Sequence, residues 1–388
     1  MRIAVTCYES LGVPGGSALQ VLRLAEGLAG AGHEVTLYAP AITMAEGAKV
    51  PVRYIPVLNL RWLRFPSYLL VAPVFFLREF LASRPAAVLA FEVYFDCSVL
   101  IAARLAGARL FSFINAIAEE EMRLGGWRLP LRWALHSAQR LLAAGSSGVY
   151  TISSEIAAWL SASYAVPEEL VKVIKNGVDT AMFSPGPAAG AARSAGLPAG
   201  GRYIGFVGRP ADWHGLEYLV DAAGAILAAV PSARFLVVGD GPALPRLREY
   251  ARQKGAEGSF IFTGSVPHAR VPDYIRACEV CVVFCRPVRS YPGDPMKLYE
   301  YLACGRPVLA SDAPGYGDLV EKAGAGLSVN ASDPAALAAA AVKLLSDESA
   351  LAAMGARARA AAVSEHDWSV RSAALAADIA GRMNARTA

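Results

Sequence analysis

Apolar residues fall into short, nearly continuous runs, separated by longer stretches in which they recur every three or four positions. RIAVTCY, AAVLAFE, ARLFSFIN and GVYTIS are of the first kind. That is the pattern of strands buried on both faces of a parallel sheet. SALQVLRLAEGLAGAG is of the second kind: Leu19, Leu22, Leu24 and Leu28 recur at helical spacing. Gly30 and Gly32 stop that helix before the next strand, HEVTLYAP. Strand, glycine-rich turn, helix and strand in direct succession predict a right-handed β-α-β unit. The alternation restarts at RYIGFVG and continues through ARFLVVGD, SFIFTG, EVCVVF and PVLAS, with helices predicted over 215–230 and 243–254. Beyond Pro334 the chain is rich in alanine. Leu337, Leu344, Leu345 and Leu351 stand at helical spacing there and predict packing helices.

Between the two halves lies PGPAAGAARSAGLPAGGR, Pro185 to Arg202, which offers little to bury and reads as a linker or surface loop. The predicted fold is α/β, with two Rossmann-like, doubly wound domains facing across a cleft. The predicted divisions are a first domain over 1–184, a linker over 185–202, a second domain over 203–365, and a C-terminal helix over 366–388 packing back on the first domain. Ligands of such sheets bind beyond the carboxyl ends of the strands, and domain junctions are favoured sites.

Composition narrows the classes. The chain has 388 residues, 55% hydrophobic and 18% charged, which suits two domains better than one core. A net charge of +4 argues against nucleic acid as the main partner. Six cysteines without a dense framework fit free thiols in a reducing compartment. Cys278, Cys281 and Cys285 resemble a metal run. The three-residue step from Cys278 to Cys281, however, predicts opposite faces of a strand, and no His or Asp completes a known spacing. They are expected to be buried thiols, and Cys304 a structural one. The first apolar run is too short for a secretory signal. FPSYLLVAPVFFL, Phe65 to Leu77, is interrupted by prolines and shorter than the ~20 residues of a spanning helix, so no transmembrane segment is predicted. It is expected to form a buried loop and helix. The alternative is an interfacial helix, because LRWLRFPSYLL and MRLGGWRLPLRWALHSAQRLL mix Trp and Arg with apolar residues.

Three segments carry candidate chemistry. Gly15, Gly16 and Ser17 follow the first strand and open a helix, whose bare N–H groups can hold an anion. Neither GxxxxGK[ST] nor GxGxxG is present. In FVGRPADWHG, Arg209 is placed at a strand's carboxyl end, where a guanidinium can grip a diphosphate, and His214 offers a second donor. In SYPGDPMKLYEYLACGRPVLASD, Pro295 is placed at or near the first helical turn. Lys297 supplies a point charge for phosphate. Glu300, one turn on, can accept from a ribose diol or pair with Lys297. No Asp-x-Asp is placed for a divalent ion. Charge neutralisation is therefore expected from Arg209, Lys297 and helix ends, and no metal is expected.

Taken in order, PGGSALQVLRLAEGLAGAGHEVTLYAP, VIKNGVDTAMFSP, FVGRPADWHG, FLVVGDGPALPRLR, FTGSVPHARVPDYIRACEVCV and PMKLYEYLACGRPVLAS resemble the retaining glycosyltransferases of GT-B fold and GT4 type (glycosyl transferases group 1) over nearly the whole chain. The resemblance implies a nucleotide diphosphate sugar bound between the domains as co-substrate. It assigns Arg209 to the diphosphate, Glu300 to the ribose and the Gly16 N–H to phosphate. Arg209, Lys297 and Glu300 are the implied catalytic group. Gly15, His214, Gly239, Val266, Asp294, Pro295 and Met296 complete the implied donor site, with Asn115 and Glu119 on the acceptor or sugar side. Retention by front-face attack, the leaving phosphate taking the acceptor proton, is also implied.

Departures from the family are plain. His214 stands where many relatives have lysine. Pro292 stands where the first member of a Glu-x7-Glu pair would be, so sugar contacts fall to Asp294 or to main chain near Gly293. Asn115 stands near a common histidine. Glu119 and Glu120 are otherwise expected as solvated helix charges. The implied acceptor is a hydroxyl, lipid-linked in exopolysaccharide or other envelope glycan assembly. The implied location is the cytoplasm, with peripheral contact at the inner face of the cell membrane. Two rivals stay open: a nucleotide-sugar epimerase of the same fold, and a non-catalytic sugar-nucleotide-binding subunit. A dehydrogenase is disfavoured by the missing GxGxxG.

Overall fold

The computed structural model describes residues 1–12, 15–124, 129–287 and 293–385. The chain divides into two units: Met1–Lys175 together with Trp368–Ala388, and Asn176–Asp367. The first holds a sheet built from β1 (Arg2–Thr6), β2 (Glu34–Pro40), β3 (Val52–Ile55), β4 (Ala87–Phe91), β5 (Arg109–Ile114), β6 (Val149–Thr151) and β7 (Val171–Val173). Their order is β3-β2-β1-β4-β5-β6-β7, and every pairing is parallel. The second holds β8 (Arg202–Val207), β9 (Ala233–Val238), β10 (Phe260–Gly264), β11 (Cys278–Val283), β12 (Val308–Ser311) and β13 (Gly326–Val329). Its order, β10-β9-β8-β11-β12-β13, repeats the arrangement, again all parallel. Each sheet reverses its strand order once, between β1 and β4 and between β8 and β11. Such switch points open a crevice at the strands' carboxyl ends.

The fully apolar runs became central strands: β4 is buried at all five positions. Three strands were not foreseen: β3, β7 and β13. All lie at a sheet edge and are only partly buried, so they lack the continuous apolar run.

The last helix, Trp368–Asn384, belongs to the first unit and packs on the helix Gly16–Gly30. Contact is close because Gly27 has no side chain: a Cβ there would stand 2.0 Å from Ser372 Oγ. Asp378 fastens the helix by accepting from Tyr150 Oη (2.9 Å), Lys172 Nζ (3.1 Å) and Arg382 Nε (2.6 Å).

The proline- and alanine-rich stretch over 185–202 is built into the second unit. Ala188–Ser194 is a helix packed on Val271–Ala277. Arg276 donates to the Ser184 carbonyl (2.6 Å) and Arg270 to the Ser194 carbonyl (2.6 Å). Arginine anchors, invisible to a hydropathy reading, hold a segment that buries little by itself.

Two further expectations change. Arg64–Ser83 is one helix through Pro73, not a loop and helix. Tyr68, Ala72, Phe76 and Phe80 form its buried stripe. By length and composition it could cross a membrane, yet that stripe is core of the first unit. The cysteine expectation also fails in its geometry. A register shift between Cys278 and Val280 lets Cys278 and Cys281 enter the same core cluster rather than opposite faces. Both are fully buried. Burial, then Cys278, pushes the Cys281 thiol far up, and burial raises Cys304 to about 12. These are inert thiols. Among the described residues no three His, Cys, Asp or Glu side chains gather to hold a metal ion.

Candidate functional site

The second unit collects most of the chemistry at its switch point. Three strands end there in glycine. Gly208 follows β8 with φ +140°, and Gly239 follows β9 with φ +117°. A Cβ on Gly239 would lie 2.0 Å from the Gly208 carbonyl oxygen, so only glycine lets these ends meet. The Gly239 N–H donates to Gly264 at the end of β10 (2.9 Å). Val266, just beyond, is partly buried against the core. Arg209, next after Gly208, is exposed.

His214 closes the short turn Asp212–His214. Its Nδ1 accepts from the Ala211 N–H at 3.2 Å, and its Nε2 lies 2.9 Å from Lys297 Nζ. Lys297 Nζ also sits 4.2 Å from the Phe206 ring centroid.

Lys297 and Glu300 come from the helix Met296–Ala303, which follows β11. Two fully buried tyrosines pin the helix. Tyr301 Oη accepts from the Val207 N–H (2.8 Å) and donates to the Val207 carbonyl (3.1 Å), and Tyr299 donates to Asp294. The helix is thereby fixed to the end of β8, which carries Arg209. Pro295 precedes the helix with extended backbone. No side chain caps the helix and no acid stands in its first turn, so the N–H of Met296 and its neighbour face no competing anion from the helix itself.

Lys297 is crowded by protein: a Cβ on Gly208 would lie 3.0 Å from its Cε. Desolvation drives its ammonium down to about 7, against the pull of Glu300. Desolvation likewise lifts Glu300 to about 7, against the pull of Lys297. Asp294 is already engaged. Its carboxylate accepts from the Asn176 N–H (2.6 Å) and from Tyr299, while Asn176 Nδ2 donates to its carbonyl (2.9 Å). Pro292 lies outside the described residues.

The first unit carries a separate polar group. Gly15 and Gly16 open the helix Gly16–Gly30 with no side-chain cap and no acid in its first turn. Asn115 follows β5 and donates from Nδ2 to Gln20 Oε1 (2.6 Å). Asn115 Oδ1 and Gln20 Nε2 are buried without a hydrogen-bond partner. Glu119 is not the solvated charge that was expected. His136 Nδ1 is 2.5 Å from its Oε1, and Tyr164 Oη donates to the same oxygen (3.1 Å). Glu120 is buried as well. Glu92, just past β4, is raised to about 8 by burial and then by Glu119 and Glu121. Sequence reasoning missed His136, Tyr164 and Glu92. Their spacing follows no motif, and only the carboxyl-end position of Glu92 could have signalled it.

The sequence matches the family described as Glycosyltransferase Family 4 over residues 14–182 and that described as Glycosyl transferases group 1 over residues 201–347. The chain belongs to the GT4-type glycosyltransferases. A phosphatidyl-myo-inositol mannosyltransferase of Mycolicibacterium smegmatis is 29% identical over 97% of this transferase and 92% of its own length. A D-inositol 3-phosphate glycosyltransferase of Acidothermus cellulolyticus is 35% identical, but over 47% of this chain and 42% of that protein. Sucrose-phosphate synthase from Thermosynechococcus elongatus superposes with TM-score 0.77 at 20% identity, covering 98% of both chains. Anabaena HepE, solved with UDP, gives 0.77 at 19% identity, covering 98% of this chain and all of that one. The transferase therefore has the GT-B fold, with two Rossmann-like domains.

Proposed function

We propose that the transferase moves a sugar, with retention of anomeric configuration, from a nucleoside diphosphate sugar to a hydroxyl of a lipid-linked acceptor in cell-envelope glycan assembly. What supports this reading is that Arg209 follows β8 while Lys297 and Glu300 lie on an uncapped helix after β11, the two strands flanking the switch point of the second sheet. Charge builds on the leaving diphosphate as the glycosidic bond breaks. Arg209, Lys297, His214 and the N–H groups of Met296 and Lys297 are the groups that stabilise it, so no metal ion is called for. Glu300 accepts from the ribose diol. Asp294 is held by Asn176 and Tyr299, which leaves main chain at Gly293 as the sugar contact. In the first unit, Gly15 and Gly16 offer N–H groups to phosphate, and Asn115 and Glu119 with His136 serve the acceptor. The leaving phosphate itself takes the acceptor proton on the front face. The lipid-linked acceptor is supported by the phosphatidylinositol-directed relatives. The enzyme then works in the cytoplasm, peripherally at the inner face of the membrane.

Calorimetric titration with UDP, GDP, ADP and dTDP, with and without magnesium, tests the site. One diphosphate should bind without magnesium, and Arg209→Ala should weaken it about ten- to hundredfold, as loss of a charge-assisted contact implies. Equal affinity in the variant would remove Arg209 from the site, and a magnesium requirement would end the metal-free reading. Turnover with a lipid acceptor separates the transferase from a silent binder.

A further inference from the structure

Two hydrogen bonds at His214 fix where its proton lies. A backbone N–H can only donate, so Nδ1, which receives the Ala211 N–H at 3.2 Å, carries no hydrogen. A neutral imidazole must then carry it on Nε2. Nε2 lies 2.9 Å from Lys297 Nζ, so the acceptor in that contact is the lysine. An ammonium has no lone pair to accept with. We propose that His214 is a positioning residue that holds Lys297 as a neutral amine in the free site, and that a bound diphosphate recharges it by taking up one proton from solvent.

The surroundings agree on balance. The Phe206 ring beneath Nζ and the carboxyl of Glu300 favour the ammonium. Loss of water outweighs Glu300 and brings the lysine to about 7. The elements packed on the helix Met296–Ala303 bring other titratable groups, but these point elsewhere. Arg276 reaches the Ser184 carbonyl, and Arg359 the Thr180, Phe183 and Ala303 carbonyls. His366 packs tilted against the Tyr299 ring, and Cys278 donates to the Tyr274 carbonyl. Glu300 on the same helix is therefore the one acid acting on Lys297 among the described residues.

Binding balances as follows. The diphosphate brings negative charge to Nζ and raises its affinity for a proton. One proton leaves the buffer and the amine becomes ammonium. The ammonium can no longer accept from Nε2–H, so the contact with His214 breaks and Nζ turns to phosphate oxygen. A lysine left neutral while the site is empty is not a bare cation in poor solvent, and it gains its charge only with the anion it serves.

This inference rests on reading the site as a diphosphate site, and the test separates the two. UDP and GDP are titrated by calorimetry at pH 8 in two buffers of different ionisation enthalpy, where a terminal phosphate is already deprotonated. With a lysine at about 7, uptake should approach about 0.9 proton per site. Lys297→Arg should still bind but take up none, because guanidinium stays charged. His214→Ala should at least halve the uptake. Binding without uptake, or uptake unchanged in Lys297→Arg, overturns the proposal. Should neither of these nor ADP nor dTDP bind, the functional reading falls, and the free protein decides the rest. With 13Cε-labelled lysine, one resonance absent from Lys297→Arg should titrate near pH 7, and titration of every lysine above pH 9 would refute the neutral amine.

Discussion

At the residue scale, chemistry was legible where side chain and backbone signals coincide in a short window. Arg209 after a strand, and Lys297 with Glu300 one turn apart behind a proline, could be placed from their neighbours alone. Glu119 could not, because its partners His136 and Tyr164 come from distant helices. Nor could the shared face of Cys278 and Cys281, which one bulge decides. Glu92 shows what burial does to such a residue. Its carboxyl is held up at about 8, from an ordinary 4.5. The folded protein thus binds this proton more tightly than the unfolded chain does. The associated stability is fully present below pH 4.5 and is lost as pH rises through about 8. Glu92→Gln keeps the neutral shape but cannot ionise. Thermal unfolding should show the wild type losing ground to the variant between pH 5 and pH 9. Parallel curves would mean that Glu92 is already ionised in the fold.

At the element scale, central strands and their parallel pairing followed from apolar runs and β-α-β alternation. The edge strands β3, β7 and β13 escaped because one side of an edge strand needs no apolar cover. Strand ends matter more than strand interiors for the site. Gly239 has φ +117°, and its missing side chain lets the Gly208 carbonyl come close. That contact sets the backbone immediately before Arg209. Gly239→Ala combines a disfavoured φ with a 2.0 Å clash against backbone, so it should destabilise the second unit by on the order of 3 kcal/mol. It should also weaken nucleotide binding in whatever fraction stays folded. Denaturant unfolding and calorimetry on the same sample check both. A variant as stable as wild type would show that the β8 and β9 ends can move apart freely.

At the scale of the whole molecule, the division of the chain was readable only in part. The composition change over 185–202 was legible. Its tethering by Arg270 and Arg276 was not, since that depends on carbonyls brought near by folding. The apolar helix Arg64–Ser83 raises the same kind of question for the outer surface. Its inner stripe is core, yet Leu70 is 80% and Val74 71% exposed, and Trp62 just before it is 87% exposed. Arg61, Arg78 and Arg84, on or beside the same helix, are exposed. In the same unit Trp133 is 71% exposed, with Leu131, Leu141 and Arg140 also at the surface. Exposed apolar side chains and arginines on the same elements match an anionic lipid surface, which takes the chains into its interface and attracts the cations. The transferase should therefore cosediment with vesicles containing phosphatidylserine or phosphatidylglycerol at low salt. Binding should weaken as salt screens the arginines and be poor on neutral phosphatidylcholine. Leu70→Ser with Val74→Ser spares Tyr68, Ala72, Phe76 and Phe80, so the fold should hold. Vesicle affinity should drop about tenfold or more, since each large apolar side chain contributes roughly 1.5–3 kcal/mol when fully buried. If the wild type stays in the supernatant at low salt, the acceptor must reach the enzyme without the lipid surface. If the double variant binds as tightly as the wild type, contact lies elsewhere, with the Trp133 face the next to change.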